Sequence, residues 1–215
     1  YLELYVDGKP DTIIILGPNH TGLGLPVSVW PRGHWETPLG RLEIDKEVVD
    51  ILLQHEVFAP DFSGHVSEHS IEVQLPFVQV LFPEAKILPA IVGPMDAVGL
   101  ELAAQALLGT LDEGTAVVVS SDLYHGYGYE ECKERDRRTL EHVLSLDPDR
   151  VAQALASGEL EACGAWGILL WVKAFEKLGG KAELLAYANS AEITGDFSGY
   201  VVGYGAVAFK ALSSK

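Results

Sequence analysis

Apolar residues along the chain follow two rhythms. In five stretches they run nearly without interruption: TIIIL (12–16), KILPAIVG (86–93), TAVVVS (115–120), AELLAYA (182–188) and GYVVGYGAVAF (199–209). These runs are short, rich in β-branched or aromatic residues and bounded by Gly, Pro, Asp or Asn, which predicts strands. Elsewhere apolar positions recur at helical spacing: DKEVVDILLQH (45–55), SIEVQLPFVQVLF (70–82), AVGLELAAQALLGTL (97–111), EECKERDRRTLEHVLSL (130–146), PDRVAQALAS (148–157) and GILLWVKAFEKLG (167–179). Pro76 falls inside the second of these and should interrupt it, because proline lacks the N–H that an interior helical turn needs.

Strand and helix alternate, and continuous apolar strands need cover on both faces. The expectation is a single α/β domain over residues 1–215 with a mostly parallel central sheet flanked by helices on both faces. One stretch breaks the rhythm. TGLGLPVSVWPRGHWETPLGRLE (21–43) mixes Gly, Pro and Trp with scattered Val and reads as a long excursion with a small hairpin over one sheet edge. Its Trp30–Trp35 segment is where a subunit contact would be sought.

Composition narrows the function classes. Fifteen Lys plus Arg against 31 Asp plus Glu give a net charge of −16, and no basic stripe is present to neutralise a phosphate backbone, so a nucleic-acid partner is not expected. No apolar run approaches the roughly 20 residues that cross a bilayer. Two cysteines, Cys132 and Cys163, are too few for a disulfide framework and fit a reducing cytoplasm. The chain begins at Tyr1 without methionine, and its first residues read like the middle of a domain, so an upstream segment is expected.

In open parallel sheets, sites form beyond the carboxyl ends of the strands. IIIL runs into GPNH, placing His20 there, and VVVS runs into SDLYH, placing Asp122 and His125 there. His20 serves as metal ligand, general base or ordinary loop residue. Asp122 can fix the tautomer of His125, share a metal with it, or cap a turn. In SEHSIEVQLPF, Glu68, His69 and Glu72 sit at the start of a helix, where carboxylates favour the positive end of the dipole; His69 is equally a pocket or a surface residue. Cys163 precedes an apolar helix, which favours its thiolate as a soft metal ligand or redox nucleophile, while simple packing is the alternative. Cys132, within the charged EECKERD helix, reads as a surface residue, and His34, His55, His65 and His142 as loop or charged-face residues. Phosphate-loop, CxxC, HExxH and GxSxG patterns are absent.

Taken together and in order, GPNH (17–20), EHSIEVQLPF (68–77), SSDLYHG (120–126) and ACG (162–164) resemble the Memo family, and the likeness runs from about residue 12 to residue 209. The resemblance implies a fold similar to the class III extradiol dioxygenases, with a metal pocket at one end of the sheet. It implies iron or copper, zinc being possible by donor chemistry, bound by His20 and Cys163 and by a histidine of a Pro-His-Ala-Gly motif that this sequence lacks. Asp122, His125 and His69 match positions lining that pocket, where His125 would act as acid or base. A thiolate in place of the dioxygenases' carboxylate softens the site, so ring cleavage is not carried over. The ligand expected in the pocket is a small molecule or a peptide. The alternatives are a phosphopeptide-binding module without catalysis and a metal-independent hydrolase using Asp122 and His125. Oligomeric state is left open by the sequence.

Overall fold

The computed structural model describes residues 1–212. They form two compact units, the first Tyr1–Ser120 and the second from Ser121 onward. The α/β class and the mostly parallel central sheet are as expected.

The first unit runs α1 (Leu2–Asp7), β1 (Thr12–Pro18), β2 (Val27–Val29), β3 (His34–Thr37), β4 (Gly40–Glu43), α2 (Lys46–Leu52), β5 (Phe58–Pro60), α3 (Ser63–Val66), a 3-10 turn (Glu72–Gln74), α4 (Leu75–Leu81), β6 (Lys86–Val92), α5 (Ala97–Leu108) and β7 (Thr115–Val119). Five strands form a sheet in the order β5-β2-β6-β1-β7. β1 lies parallel to both neighbours, with Leu16 opposite Ala90 on one side and Val119 on the other. All seven residues of β1 are buried, so both faces of this central strand are removed from water. Ile13, Ile14, Ile15 and Leu16 each contribute about 1.5–3 kcal/mol by that burial.

The excursion is only partly as predicted. Its second half is the expected hairpin, β3 on β4. Its first half does not hang over an edge: β2 lies inside the sheet, parallel to β5 and antiparallel to β6. Val-Ser-Val between Pro26 and Trp30 is too short to show a period, and β5, the three residues FAP, escaped notice for the same reason. Pro60 is tolerated there because β5 is an edge strand. The predicted helix over 70–82 divides as Pro76 requires, into the 3-10 turn and α4, with the proline in the first turn where no N–H is missed. His65 is not a surface residue. It is buried in α3, its Nε2 2.9 Å from the Ser28 carbonyl and its ring against Trp30 and Trp35.

The second unit contains β8 (His125–Tyr127), α6 (Tyr129–Leu144), α7 (Pro148–Ser157), α8 (Ala165–Leu178), β9 (Gly180–Asn189), α9 (Ser190–Thr194) and β10 (Tyr200–Ala211). Here the sheet, ordered β8-β10-β9, is antiparallel throughout. Residues 190–199 between β9 and β10 are too few for the crossover of a dozen or more that parallel neighbours need. α7 shows all three terminal signals its sequence offers: Asp147 accepts the N–H groups of Asp149 and Arg150, Pro148 opens the helix, and Gly158 closes it at φ 77°.

Beneath α6 lies a polar cluster that its charged sequence conceals. Asp136 is fully buried and accepts the Tyr124 N–H at 2.8 Å, the Tyr187 hydroxyl at 2.7 Å and the Cys132 thiol at 3.2 Å. Cys132 is therefore not the surface residue its neighbours suggested; it is fully buried. Burial and the bond to Asp136 push its thiol up to about 12. The half-buried Cys163 lacks that protection, so brief alkylation of the native protein is expected to label Cys163 and spare Cys132. Peptide mapping by mass spectrometry checks this, and modification of Cys132 at a comparable rate would contradict the packing. Among the described residues no helix is long and apolar enough to cross a membrane.

Candidate functional site

In the first unit the site is built on the end of β1. Gly17 is required there: a Cβ would lie 2.6 Å from the Ser70 hydroxyl and 2.8 Å from Ile71, so only glycine lets the 68–71 segment lie against the strand. Ser70 then ties this segment to two strand ends. Its hydroxyl reaches the Pro18 carbonyl at 3.3 Å, and its carbonyl accepts the Ser120 hydroxyl at 2.7 Å.

These ties bring Glu68 to His20. Glu68 Oε1 accepts from His20 Nδ1 at 2.9 Å, from the His69 N–H at 2.8 Å and from the Ser70 N–H at 3.0 Å; Oε2 accepts the His20 N–H at 2.8 Å. Burial alone would raise the carboxyl's pKa, but the hydrogen bonds from His20, Ser70 and His69 outweigh it and hold Glu68 down at about 2. The imidazoles of His20 and His69 stack at 5.1 Å and 15°. His20, Glu68 and His69 thus offer ligand atoms within 4.8 Å of one another. Only Glu68 is sequestered, its side chain 1% exposed against 39% for His20 and 71% for His69.

Glu68 does not cap a helix, because the 3-10 turn starts only at Glu72 and its N-cap is Ile71; two of its four bonds go instead to the N–H groups of the loop residues that follow it. Its grip on His20, 48 residues away, has no local signature and went unread. Glu72 is exposed, in keeping with a solvated face.

In the second unit the other three candidates come together. Leu123 N–H donates to the Gly203 carbonyl, Gly203 N–H to the Tyr124 carbonyl, and Tyr124 N–H to Asp136, so the 122–125 segment is clamped from β10 and α6. His125 is not in a strand-end loop; it opens β8 and pairs with Val202. Its Nε2 lies 3.1 Å from Asp122 Oδ2. An ionised carboxylate can only accept, so the ring proton sits on Nε2 and Nδ1 is the free basic atom.

Cys163 lies immediately before Gly164, the N-cap of α8. Its sulfur accepts the Asp122 N–H at 3.1 Å, and its own N–H donates to the Asp122 carbonyl at 3.2 Å. Ser121 braces the turn, donating to the Asp122 carbonyl at 2.7 Å and accepting the Gly164 N–H at 2.9 Å, with its hydroxyl 3.8 Å from the sulfur. Proximity to a helix start predicts a lowered thiol pKa. The structure reverses this: burial pushes Cys163 above the ordinary value, with the Asp122 N–H and the Ser121 hydroxyl opposing it.

Comparison with known proteins matches the chain to one family. The family model for Memo-like proteins matches residues 1–208. A MEMO1 family protein of Desulfurococcus amylolyticus is 41% identical over 214 residues, covering 97% of this chain and 75% of that protein. Its counterpart in Aeropyrum pernix is 39% identical over 212 residues, covering 96% and 75%, and that of Methanobrevibacter smithii 39% identical over 216 residues, covering 98% and 76%. The crystal structure of uncharacterized protein JW3007 from Escherichia coli K12 aligns with a TM-score of 0.60 at 12% identity, over 94% of this chain and 90% of that one, a likeness of fold alone. With a family match spanning both units and relatives this near, the chain belongs to the Memo family.

Proposed function

We propose that this Memo-family chain is a metal-binding protein that holds iron or copper through His20 of the first unit; within the second unit Cys163 is a soft donor and His125, beside Asp122, an acid–base residue. The observation that carries the reading is the state of His20. A buried carboxylate occupies its Nδ1, which leaves Nε2 as an exposed lone pair at the carboxyl edge of a parallel sheet. Imidazole nitrogen and, in the second unit, thiolate sulfur are each donors that suit iron, copper or zinc better than magnesium or calcium, in keeping with the ions the resemblance implies.

When bound, iron or copper supplies Lewis acidity and one-electron exchange. The remaining work falls to the chain's own groups. Glu68 keeps the His20 ring in place, His69 stands beside it as a second exposed imidazole, and Asp122 holds the Nε2 proton of His125 so that Nδ1 can accept one from a substrate.

Elemental analysis of anaerobically purified protein tests this. The wild type is expected to carry about one iron or copper per chain, falling to background in His20→Ala; circular dichroism checks that this variant, which gives up one of the bonds to buried Glu68, is still folded. Cys163→Ser, assayed separately, should reduce copper retention most, copper(I) being the softer ion. Undiminished metal in His20→Ala would end this reading.

A further inference from the structure

His20, Glu68 and His69 are close enough to look like a set of two histidines and one carboxylate ligating one ion. The hydrogen bonds argue otherwise. A carboxylate has about four lone-pair positions, two on each oxygen; here three N–H groups, His20 Nδ1–H, His69 N–H and Ser70 N–H, crowd Oε1, and the His20 N–H takes one position on Oε2. Ligation through Oε1 would have to strip donors, and Oε2 belongs to a side chain that is almost wholly buried and held by the His20 backbone.

We infer that Glu68 is not a ligand but the positioning residue of the site, holding His20 by backbone and ring together in the Nδ1–H tautomer so that Nε2 is left to bind. The inference rests on the metal reading above and adds a residue that neither the sequence motif nor the family match assigns. Both bonds to His20 are needed. The bond to the backbone N–H fixes where the residue leaves β1, and the bond to Nδ1 fixes which ring nitrogen carries the proton. Ser70 and Gly17 act one step further out: the hydroxyl and carbonyl of Ser70 pin the segment, and the bare Cα of Gly17 gives it room. Partners of this kind are worth about 10–100-fold in metal affinity.

Glu68→Gln separates the two roles. A glutamine has a single acceptor oxygen, so its NH2 must face either the His20 N–H or Nδ1. Facing Nδ1, it donates and drives the ring proton to Nε2, the atom that has to be free. Two measurements are needed. The first is the two-bond 15N–1H pattern of His20 in metal-free protein, recorded well above the imidazole range. The second is cobalt(II) and zinc affinity by competition with a chromophoric chelator, for wild type, Glu68→Gln, Glu68→Asp and His20→Ala.

The expected results are Nδ1–H in the wild type, loss of the bond to the His20 N–H in Glu68→Gln, whose amide oxygen is drawn to the three donors at the Oε1 position, and a loss of affinity of about tenfold or more in that variant. His20→Ala should bind at background level. Nε2–H in the wild type would overturn the inference, as would a folded Glu68→Gln binding within about twofold of wild type. If Glu68→Gln does not fold, the wild-type tautomer and the Glu68→Asp affinity decide the matter by the same criteria. A wild type that binds no metal yet shows Nδ1–H would remove the metal reading while leaving Glu68's hold on His20 intact.

Discussion

Gly203→Ala is expected to cost about 3–5 kcal/mol and leave little folded protein. A Cβ at this position would lie 1.8 Å from Asp136 Oδ2 and 2.4 Å from its Cγ. The backbone is not the obstacle, because Gly203 is not among the glycines at positive φ. The obstacle is that the carboxylate cannot move. It is fully buried, and displacing it withdraws the acceptor of three buried donors, the Tyr124 N–H, the Tyr187 hydroxyl and the Cys132 thiol. Bonds to a charged acceptor are worth about 1.5–3 kcal/mol each, and a domain's whole stability is only about 5–15 kcal/mol.

Gly205→Ala, two residues along the same strand, is the control. Its Cβ meets only Leu140 and Leu123 side-chain ends at 3.1 and 3.2 Å, which can give way for about 1–2 kcal/mol. Urea unfolding of the two variants compares them directly. Equal costs would show that Asp136 is not held as described. Combining Gly203→Ala with Asp136→Ala should be less damaging than the sum of the two, because both remove the same network.

The second large effect is acid lability at Glu68. Its carboxyl is held at about 2 in the folded chain against an ordinary 4.5, worth about 3 kcal/mol. A lowered folded pKa stabilises above the unfolded value, so this contribution is complete above roughly pH 5 and is lost as pH falls from about 4.5 toward 2, where the unfolded chain takes up the proton first. Glu68→Gln should therefore be less stable than wild type at neutral pH by about 3 kcal/mol and should lose less on acidification. Urea midpoints of metal-free protein at neutral pH and at two points in the acid range measure the difference. Other carboxylates, Asp61 and Asp196 among them, also sit low, so the comparison between the two proteins is the informative one. Parallel acid curves would mean that the four hydrogen bonds to Glu68 do not form in solution.

How much of this was legible in advance follows from distance along the chain. β1, β6, β7 and all the longer helices announce themselves through runs and periods of their own residues. β2 and β5 do not, since a three-residue strand is defined by its partners and not by a pattern. The antiparallel pairing of β9 with β10 was foreshadowed only by the shortness of residues 190–199. Among the candidates, the strand-end rule singled out His20, Asp122 and His125, and the resemblance added Cys163. Glu68's contact with His20 and Asp136's contacts with Tyr187 and Gly203 join residues far apart in sequence, and both carboxylates sat among other acidic residues that pointed to solvent. For Cys163 the helix-start argument weighs the dipole and leaves out burial, which here pushes the half-buried thiol the other way.

The position of β1 has a consequence for how the protein is made. The strand is synthesised before both of the neighbours that complete its edges, β6 at residues 86–92 and β7 at residues 115–119. Four consecutive large aliphatic side chains must wait through some seventy residues of further translation before either neighbour exists. A nascent chain stopped short of Val119 therefore presents Ile13–Leu16 as a sticky ribbon, a natural client for a ribosome-bound chaperone, and release of such fragments should yield aggregate where the chain carried past that point yields folded protein.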